Sequence, residues 1–351
     1  MKTDASAAVM AARTIVVAVA FAAVFAGCAS TATETSLLPP DTTPTKRMVT
    51  QGVATKVIAE NLTKCAYTHP KMNVRVAAVS EITATDGTVI TMPAVTALQK
   101  GGGPLSHDLY NECNQVTPKN SAEVSTANVP VIEVDADGEV VTGFIVADNY
   151  YEMYVNGKLV SVDNTPYTPF NSAIVKFKVK RPYTLAFLLV DWDEHQGLGM
   201  EVFPVPVTPK TNKYYPGDGG LIARFSDGTV TDSSWKAQTF YIGPLVDPKE
   251  VVERGSVRDV VGAGGRTHPY ARKPTCEDKC YAVHYPIPSS WQSPRFNDRN
   301  WPRAWEYTDV EIGVRNLPGY TRFPELFEGA RWIWTQNLVL DNVVIARKTV
   351  R

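Results

Sequence analysis

The chain has 351 residues, of which 44% are hydrophobic, 20% charged and 10% aromatic; 35 Lys and Arg stand against 36 Asp and Glu, a formal net charge of −1. A nucleic-acid binder carries a clear basic excess, so that class is not expected, and neither is intrinsic disorder, which needs low hydrophobicity and high net charge. The aromatic residues (7 Trp, 15 Tyr, 12 Phe) can fill a large core, while 23 Gly and 25 Pro point to many turns and few long helices.

Residues 1–27 read as a secretion signal. Lys2 and Arg13 give a weakly basic start, and Ile15 to Ala26 is an apolar run of twelve residues. Such a run spans roughly 18 Å as a helix, short of the ~30 Å hydrocarbon core, so a permanent transmembrane anchor is not expected. Val24-Phe25-Ala26-Gly27-Cys28 resembles the bacterial lipobox, with Phe25 where Leu is commonest. The resemblance implies cleavage before Cys28, lipid on its sulfur and, with several acyl chains, durable membrane attachment. Ala29, where an Asp would retain a lipoprotein at the inner membrane, implies the outer membrane if the host has one. Residues 28–51 are rich in Thr, Ser and Pro and read as an extended tether.

Residues 52–125 carry Cys65, Cys113 and a Gly101-Gly102-Gly103-Pro104 break; they read as a disulfide-tied region forming the opening strands of the folded part. Val53 to Lys64 is the best helix candidate in the chain. From 126 to 351 strand signals dominate. Glu123–Val134 and Glu139–Ala147 flank Asp137-Gly138, a hairpin signal, and Tyr150–Val155 and Lys158–Val162 flank Asn156-Gly157, the pair best suited to a type I′ turn. Ile174–Val179 alternates apolar residues with Lys176 and Lys178, as a half-buried strand does, whereas Leu185–Val190 is continuously apolar. Leu221–Phe225, Trp235–Ile242, Ala330–Thr335 and Val343–Val350 complete the set. The expected fold is all-β, an antiparallel β-sandwich or jelly roll with long irregular loops. The stretch 247–298 has few strand signals and reads as a long loop insertion.

Besides Cys28, four cysteines remain in the mature chain, and proximity pairs Cys65 with Cys113 and Cys276 with Cys280. The rival for the second pair is a zinc or copper site, because His268, Cys276, Cys280 and His284 form an H-x7-C-x3-C-x3-H set. Otherwise no metal and no cofactor is expected.

The densest polar cluster, Asp191-Trp192-Asp193-Glu194-His195, directly follows the apolar strand. An exposed Trp192 could stack on a sugar ring while the neighbouring carboxylates accept its hydroxyl hydrogens. The plainer alternative is a charged turn whose tryptophan folds back into the core. Glycoside cleavage needs two carboxylates facing each other across the substrate, and these are sequence neighbours, so no catalytic residue is assigned.

Three motifs carry a family resemblance. Asp148-Asn149-Tyr150-Tyr151-Glu152-Met153-Tyr154-Val155-Asn156-Gly157 resembles the A-D-x-x-Y-x-x-Y-V-N-G hairpin of galactose-binding-like β-sandwich modules. Phe296-Asn297-Asp298-Arg299-Asn300-Trp301 is similar to their F-D-D-x-x-W element, and Ala330-Arg331-Trp332-Ile333-Trp334 to their A-x-W-I-W strand. Such modules accompany sugar-cleaving enzymes. The resemblance implies a jelly-roll fold and carbohydrate binding, although no glycosidase catalytic domain is attached and the 247–298 stretch is foreign to the pattern. The expectation is a lipid-anchored, non-catalytic, carbohydrate-binding protein of the cell envelope, partnered by the membrane and a glycan. The alternatives are a structural or protein-interaction lipoprotein displaying the 247–298 loop to an envelope protein and, behind it, a metal-dependent or hydrolytic enzyme.

Overall fold

A computed structural model describes residues 46–52, 54, 56–59, 79–165, 171–192, 218–260, 276, 279–314 and 317–351. These fall within one unit, Ser36–Arg351. The expected signal, Cys28, nearly all of the tether and Cys65 lie outside the described residues.

The described strands, in chain order, are β1 (Met48–Gln51), β2 (Lys56–Ala59), β3 (Val79–Thr83), β4 (Val89–Met92), β5 (His107–Tyr110), β6 (Val131–Glu133) and β7 (Glu139–Asp148). Next come β8 (Tyr150–Val155), β9 (Lys158–Val162), β10 (Ser172–Val179), β11 (Tyr183–Val190), β12 (Gly220–Phe225) and β13 (Lys236–Leu245). The last are β14 (Val251–Arg254), β15 (Val257–Val260), β16 (Tyr281–His284), β17 (Trp305–Tyr307), β18 (Trp332–Trp334) and β19 (Asp341–Val350). α-Helix among the described residues is limited to two single turns, Asp309–Ile312 and Pro318–Thr321.

Two large sheets make the sandwich. The first has the order β1-β16-β13-β19-β11-β8-β9; the second runs β17-β18-β12-β7-β10-β5, with β6 also pairing β10. The order follows from the residues. In β10, Val175, Phe177 and Val179 are buried while Lys176 and Lys178 are half-buried, so one face turns to the core and the other toward water. Every residue of β11 is buried, as the apolar run requires of a strand covered on both faces. Aromatic rings join the layers: Phe177 of β10 meets Tyr183 of β11 with centroids 5.9 Å apart. The all-β sandwich with long loops is what the sequence leads one to expect.

Turn chemistry is obeyed where it is strongest. Asn156 and Gly157 both have positive φ, 50° and 85°, as a type I′ connection of β8 to β9 demands. The glycine break at 101–103 also has a local cause. Gly101 and Gly102 have φ of 104° and 90°, and a Cβ on Gly103 would stand 2.9 Å from Leu159.

Four expectations are corrected. Lys56–Ala59 is a strand, not a helix, because it pairs with β3 in a separate three-stranded sheet with β4. The tether cannot extend to residue 51, since Met48–Gln51 pairs antiparallel with β16 as the edge of the first sheet. The Asp137-Gly138 bend does not join hairpin neighbours. β6 runs parallel to β10, on the opposite side from β7. Gly138 is needed there because a Cβ would lie 2.4 Å from the Val179 backbone, where the chain wraps the end of β10. Finally, 247–298 is not simply a loop. It contains the β14–β15 hairpin and β16, a four-residue strand paired on both sides by β1 and β13. So short a run gives too little periodicity to be read from sequence.

Candidate functional site

The two faces of β8 determine where polar chemistry collects. Period-two alternation places Tyr151, Met153 and Val155 on one face and Tyr150, Glu152 and Tyr154 on the other. The first set enters the sandwich core. The second set lies on the outer face of the first sheet, beneath two coverings: β4 with the chain that follows it to Gly102, and the segment Tyr285–Gln292 that follows β16.

Between sheet and coverings is a cavity of about 610 Å³. Its floor includes Met48 from β1, His284 from β16, Leu188 from β11, Glu152 and Tyr154 from β8, and Leu159 from β9. Trp291, Gln292, Tyr285 and Lys100 come from the coverings. The cavity reaches the surface, because Val89, Val95, Lys100 and Pro286 on its wall are exposed.

Glu152 is the centre of the floor. It is only 2% exposed, yet its carboxylate is well supplied with donors. Tyr150 Oη donates to Oε1 at 2.9 Å, Tyr154 Oη donates to Oε2 at 2.8 Å, and the Ala97 backbone N–H also donates to Oε1. A buried carboxylate needs such partners, since losing water without them would cost several kcal/mol. In return, burial and the adjacent carboxylate push both phenols above their ordinary range, so they remain protonated donors. The bond to Ala97 also fastens the 96–102 turn over the sheet. That turn closes on itself, with Gly102 N–H donating to Ala97 C=O at 2.8 Å.

The second covering is fastened by Arg347 on β19. This side chain is 1% exposed, and its Nε donates to Asp298 Oδ2 at 2.8 Å. Its other nitrogens donate to the carbonyls of Trp291 and of Ser293, the latter at 3.1 Å, and the guanidinium lies 5.1 Å from the Phe296 ring centre. Trp291 is thereby set edge-on to Tyr154, with ring centres 5.0 Å apart.

The β14–β15 hairpin holds Tyr285. Arg258 of β15 stacks over Tyr285 at 3.7 Å and lies 4.9 Å from Phe240, while Tyr285 Oη donates to Glu253 at 3.0 Å. Burial lowers the Arg258 guanidinium to about 10, and the nearby Tyr285, Glu253 and Asp341 oppose that shift. The stretch expected to be a protruding loop is therefore part of the cavity's framework.

His284 is the remaining polar floor residue. It is 3% exposed, its Nε2 lies 3.0 Å from Thr50 Oγ1, and its ring stacks on Tyr241 at 4.6 Å. Burial depresses it to about 3, so it is neutral at physiological pH. Thr50 is fully buried beside it and does not form part of the cavity wall, so the pair does not present a nucleophile to a ligand.

The residues singled out from sequence fall elsewhere. Trp192 is 2% exposed, not exposed as sugar stacking would need, and it packs edge-on against Tyr150 at 5.4 Å. Asp191 is equally buried. Both stand at the end of an interior strand, where water is already excluded, and Asp193, Glu194 and His195 lie outside the described residues. Trp192 thus supports Tyr150, which in turn donates to Glu152. Cys276 and Cys280 form a disulfide with Cα atoms 4.9 Å apart, which removes both thiolates from the alternative metal set; His284 is engaged with Thr50, and His268 lies outside the described residues. Among the described residues no group of three His, Cys, Asp or Glu could hold a metal ion. Cys113 is also disulfide-bonded, to a partner outside the described residues.

Glu152, His284 as a floor residue, Trp291 and Arg347 were not found by the sequence reading as parts of one site. The signal for Glu152 was present: a lone carboxylate between tyrosines at i−2 and i+2 in an otherwise buried strand. No family model matches the chain, and no curated protein and no solved structure matches it either.

Proposed function

We propose that this is a lipid-anchored cell-envelope protein that binds carbohydrate in the cavity on the outer face of its first sheet and does not cleave it. The observation that carries this reading is the combination in one surface-reaching cavity of aromatic rings, Tyr154, Tyr285 and Trp291, with hydrogen-bonding groups, Glu152, His284 and Gln292. A sugar has apolar C–H faces and hydroxyl edges, and a wall that alternates rings with acceptors and donors matches both. Glu152 is the only carboxylate among the described lining residues, whereas glycoside hydrolysis by the usual route pairs two. The galactose-binding-like motifs agree with this reading, since the Asp148–Gly157 hairpin supplies Glu152 and Tyr154. Cys28 would supply the membrane attachment.

A glycan array probed with the full-length protein in detergent tests the binding. Tyr154→Phe, which removes one donor to Glu152 and leaves the ring, is expected to weaken the best ligand roughly tenfold, equivalent to one hydrogen bond to a charged group. Trp305→Ala, which alters a 40%-exposed tryptophan away from the cavity, is expected to leave it unchanged. Absence of binding above background, or loss only with Trp305→Ala, overturns the assignment.

A further inference from the structure

The charge balance of the cavity narrows the ligand. Glu152 sits at its floor, and no Lys or Arg forms an ion pair with it among the described residues. Its three donors are neutral groups, two phenols and one backbone amide, so its negative charge is hydrogen-bonded but not neutralised. Tyr154, whose hydroxyl donates to Glu152 Oε2 at 2.8 Å, and Trp291 line the same cavity with their ring centres 5.0 Å apart. This is the pairing that favours a cation: an anion to meet its charge, and aromatic rings to meet its polarisable surface.

The other groups facing the cavity do not oppose that choice. His284 is neutral. Lys100 is exposed at the rim, where solvent screens it. Arg258 lies behind Phe240 and Tyr285, with Glu253 and Asp341 close enough to offset its charge. The outer face also carries Arg347, whose charge is met by Asp298 and whose guanidinium lies 5.1 Å from the Phe296 ring centre, so with Arg258 two guanidiniums already pack against aromatic rings there.

We infer that the cavity selects a carbohydrate bearing a free amino group, an amino sugar whose ammonium meets Glu152 between Tyr154 and Trp291. This rests on the carbohydrate-binding reading above and gives the ligand its chemical class. A neutral sugar or an N-acetylated one would leave the buried charge without a counterion, and an anionic sugar would be repelled.

Calorimetric titration of the full-length protein in detergent tests this with three probes at a pH where amines are protonated. These are a β-1,4-linked glucosamine oligomer, its N-acetylated counterpart of equal length, and spermidine. The amino oligomer is expected to bind roughly tenfold or more tightly than the acetylated one. Glu152→Gln, which keeps the acceptor for Ala97, is expected to abolish that preference. The wild-type comparison stands even if the variant does not fold. Equal or tighter binding of the acetylated oligomer overturns the amine inference and leaves the carbohydrate reading in place. Spermidine binding as tightly as the amino oligomer overturns the carbohydrate reading instead, and binding of none of the three overturns the amine inference while the glycan array decides the carbohydrate reading.

Discussion

The two faces of the first sheet both bury residues almost completely, yet they are chemically opposite. On the inner face Phe187, Leu189 and Val344 pack into the sandwich, Phe187 lying 6.0 Å from Tyr151 and 5.8 Å from Trp235. On the outer face of the same sheet are Glu152 of β8, His284 of β16 and Arg347 of β19, each no more than 3% exposed. The inner face meets another sheet, whose apolar side chains interdigitate without leaving backbone groups to satisfy. The outer face meets, besides β4, the irregular segments 93–102 and 285–292, whose carbonyls and amides need partners. Arg347 supplies donors to Trp291 and Ser293, and Glu152 an acceptor to Ala97. Burial alone therefore does not distinguish core from site. The kind of element that covers a face does.

Three substitutions sharpen that contrast. Phe187→Ala on the inner face should be the most damaging, about 3–5 kcal/mol, because it removes a fully buried ring and leaves a cavity. Chemical denaturation measures it, and a loss under about 1 kcal/mol would mean that the two layers are not packed as described.

Arg347→Met on the outer face should cost less, about 2 kcal/mol, since Asp298 remains 26% exposed to water and is not stranded. Its distinguishing effect is local. The 285–301 segment should become more susceptible to limited proteolysis, and ligand affinity should fall more than the stability loss accounts for. Unchanged protease resistance would show that Arg347 does not fasten this covering.

His284→Gln should be the mildest at neutral pH, about 1 kcal/mol from the lost stacking on Tyr241. Its signature is pH dependence. The folded-state value of about 3 lies below the ordinary 6.5, so the unfolded chain takes up the proton first. His284 therefore lowers stability as pH falls from 6.5 toward 3. Asp163 and Asp341, raised by burial to about 7, act oppositely: the stability they contribute is present below about 4 and is lost as pH rises through 7. The difference in thermal midpoint between wild type and His284→Gln isolates the histidine and should shrink or reverse on acidification; a constant difference from pH 7 to pH 4 would count against a neutral, buried imidazole.

Much of the scaffold was legible because its signals are local. The alternation of β10, the apolar run of β11 and the Asn156-Gly157 turn each depend on neighbours within a few residues. Where a short segment depends on distant partners, the reading failed. Lys56–Ala59 becomes a strand through β3, and Tyr281–His284 through β1 and β13. Trp192 could be read from its neighbours either as a ligand platform or as a core residue beside a charged turn; packing against Tyr150 buries it, as the plainer alternative has it.

The amino-acid sequence by itself determined the β class of this protein, most of its strands and the hairpin that carries Glu152. Period-two patterning and turn propensities are properties of adjacent residues. Tertiary structure alone decided the site. Its floor joins Met48, Glu152, Leu188 and His284 from strands that become neighbours only in the assembled sheet, and its coverings are fixed by Glu152 to Ala97 and Arg347 to Asp298, contacts 55 and 49 residues apart. No local pattern encodes which loop settles over a sheet face. That choice follows from long-range burial and from the need of each buried polar group for a partner.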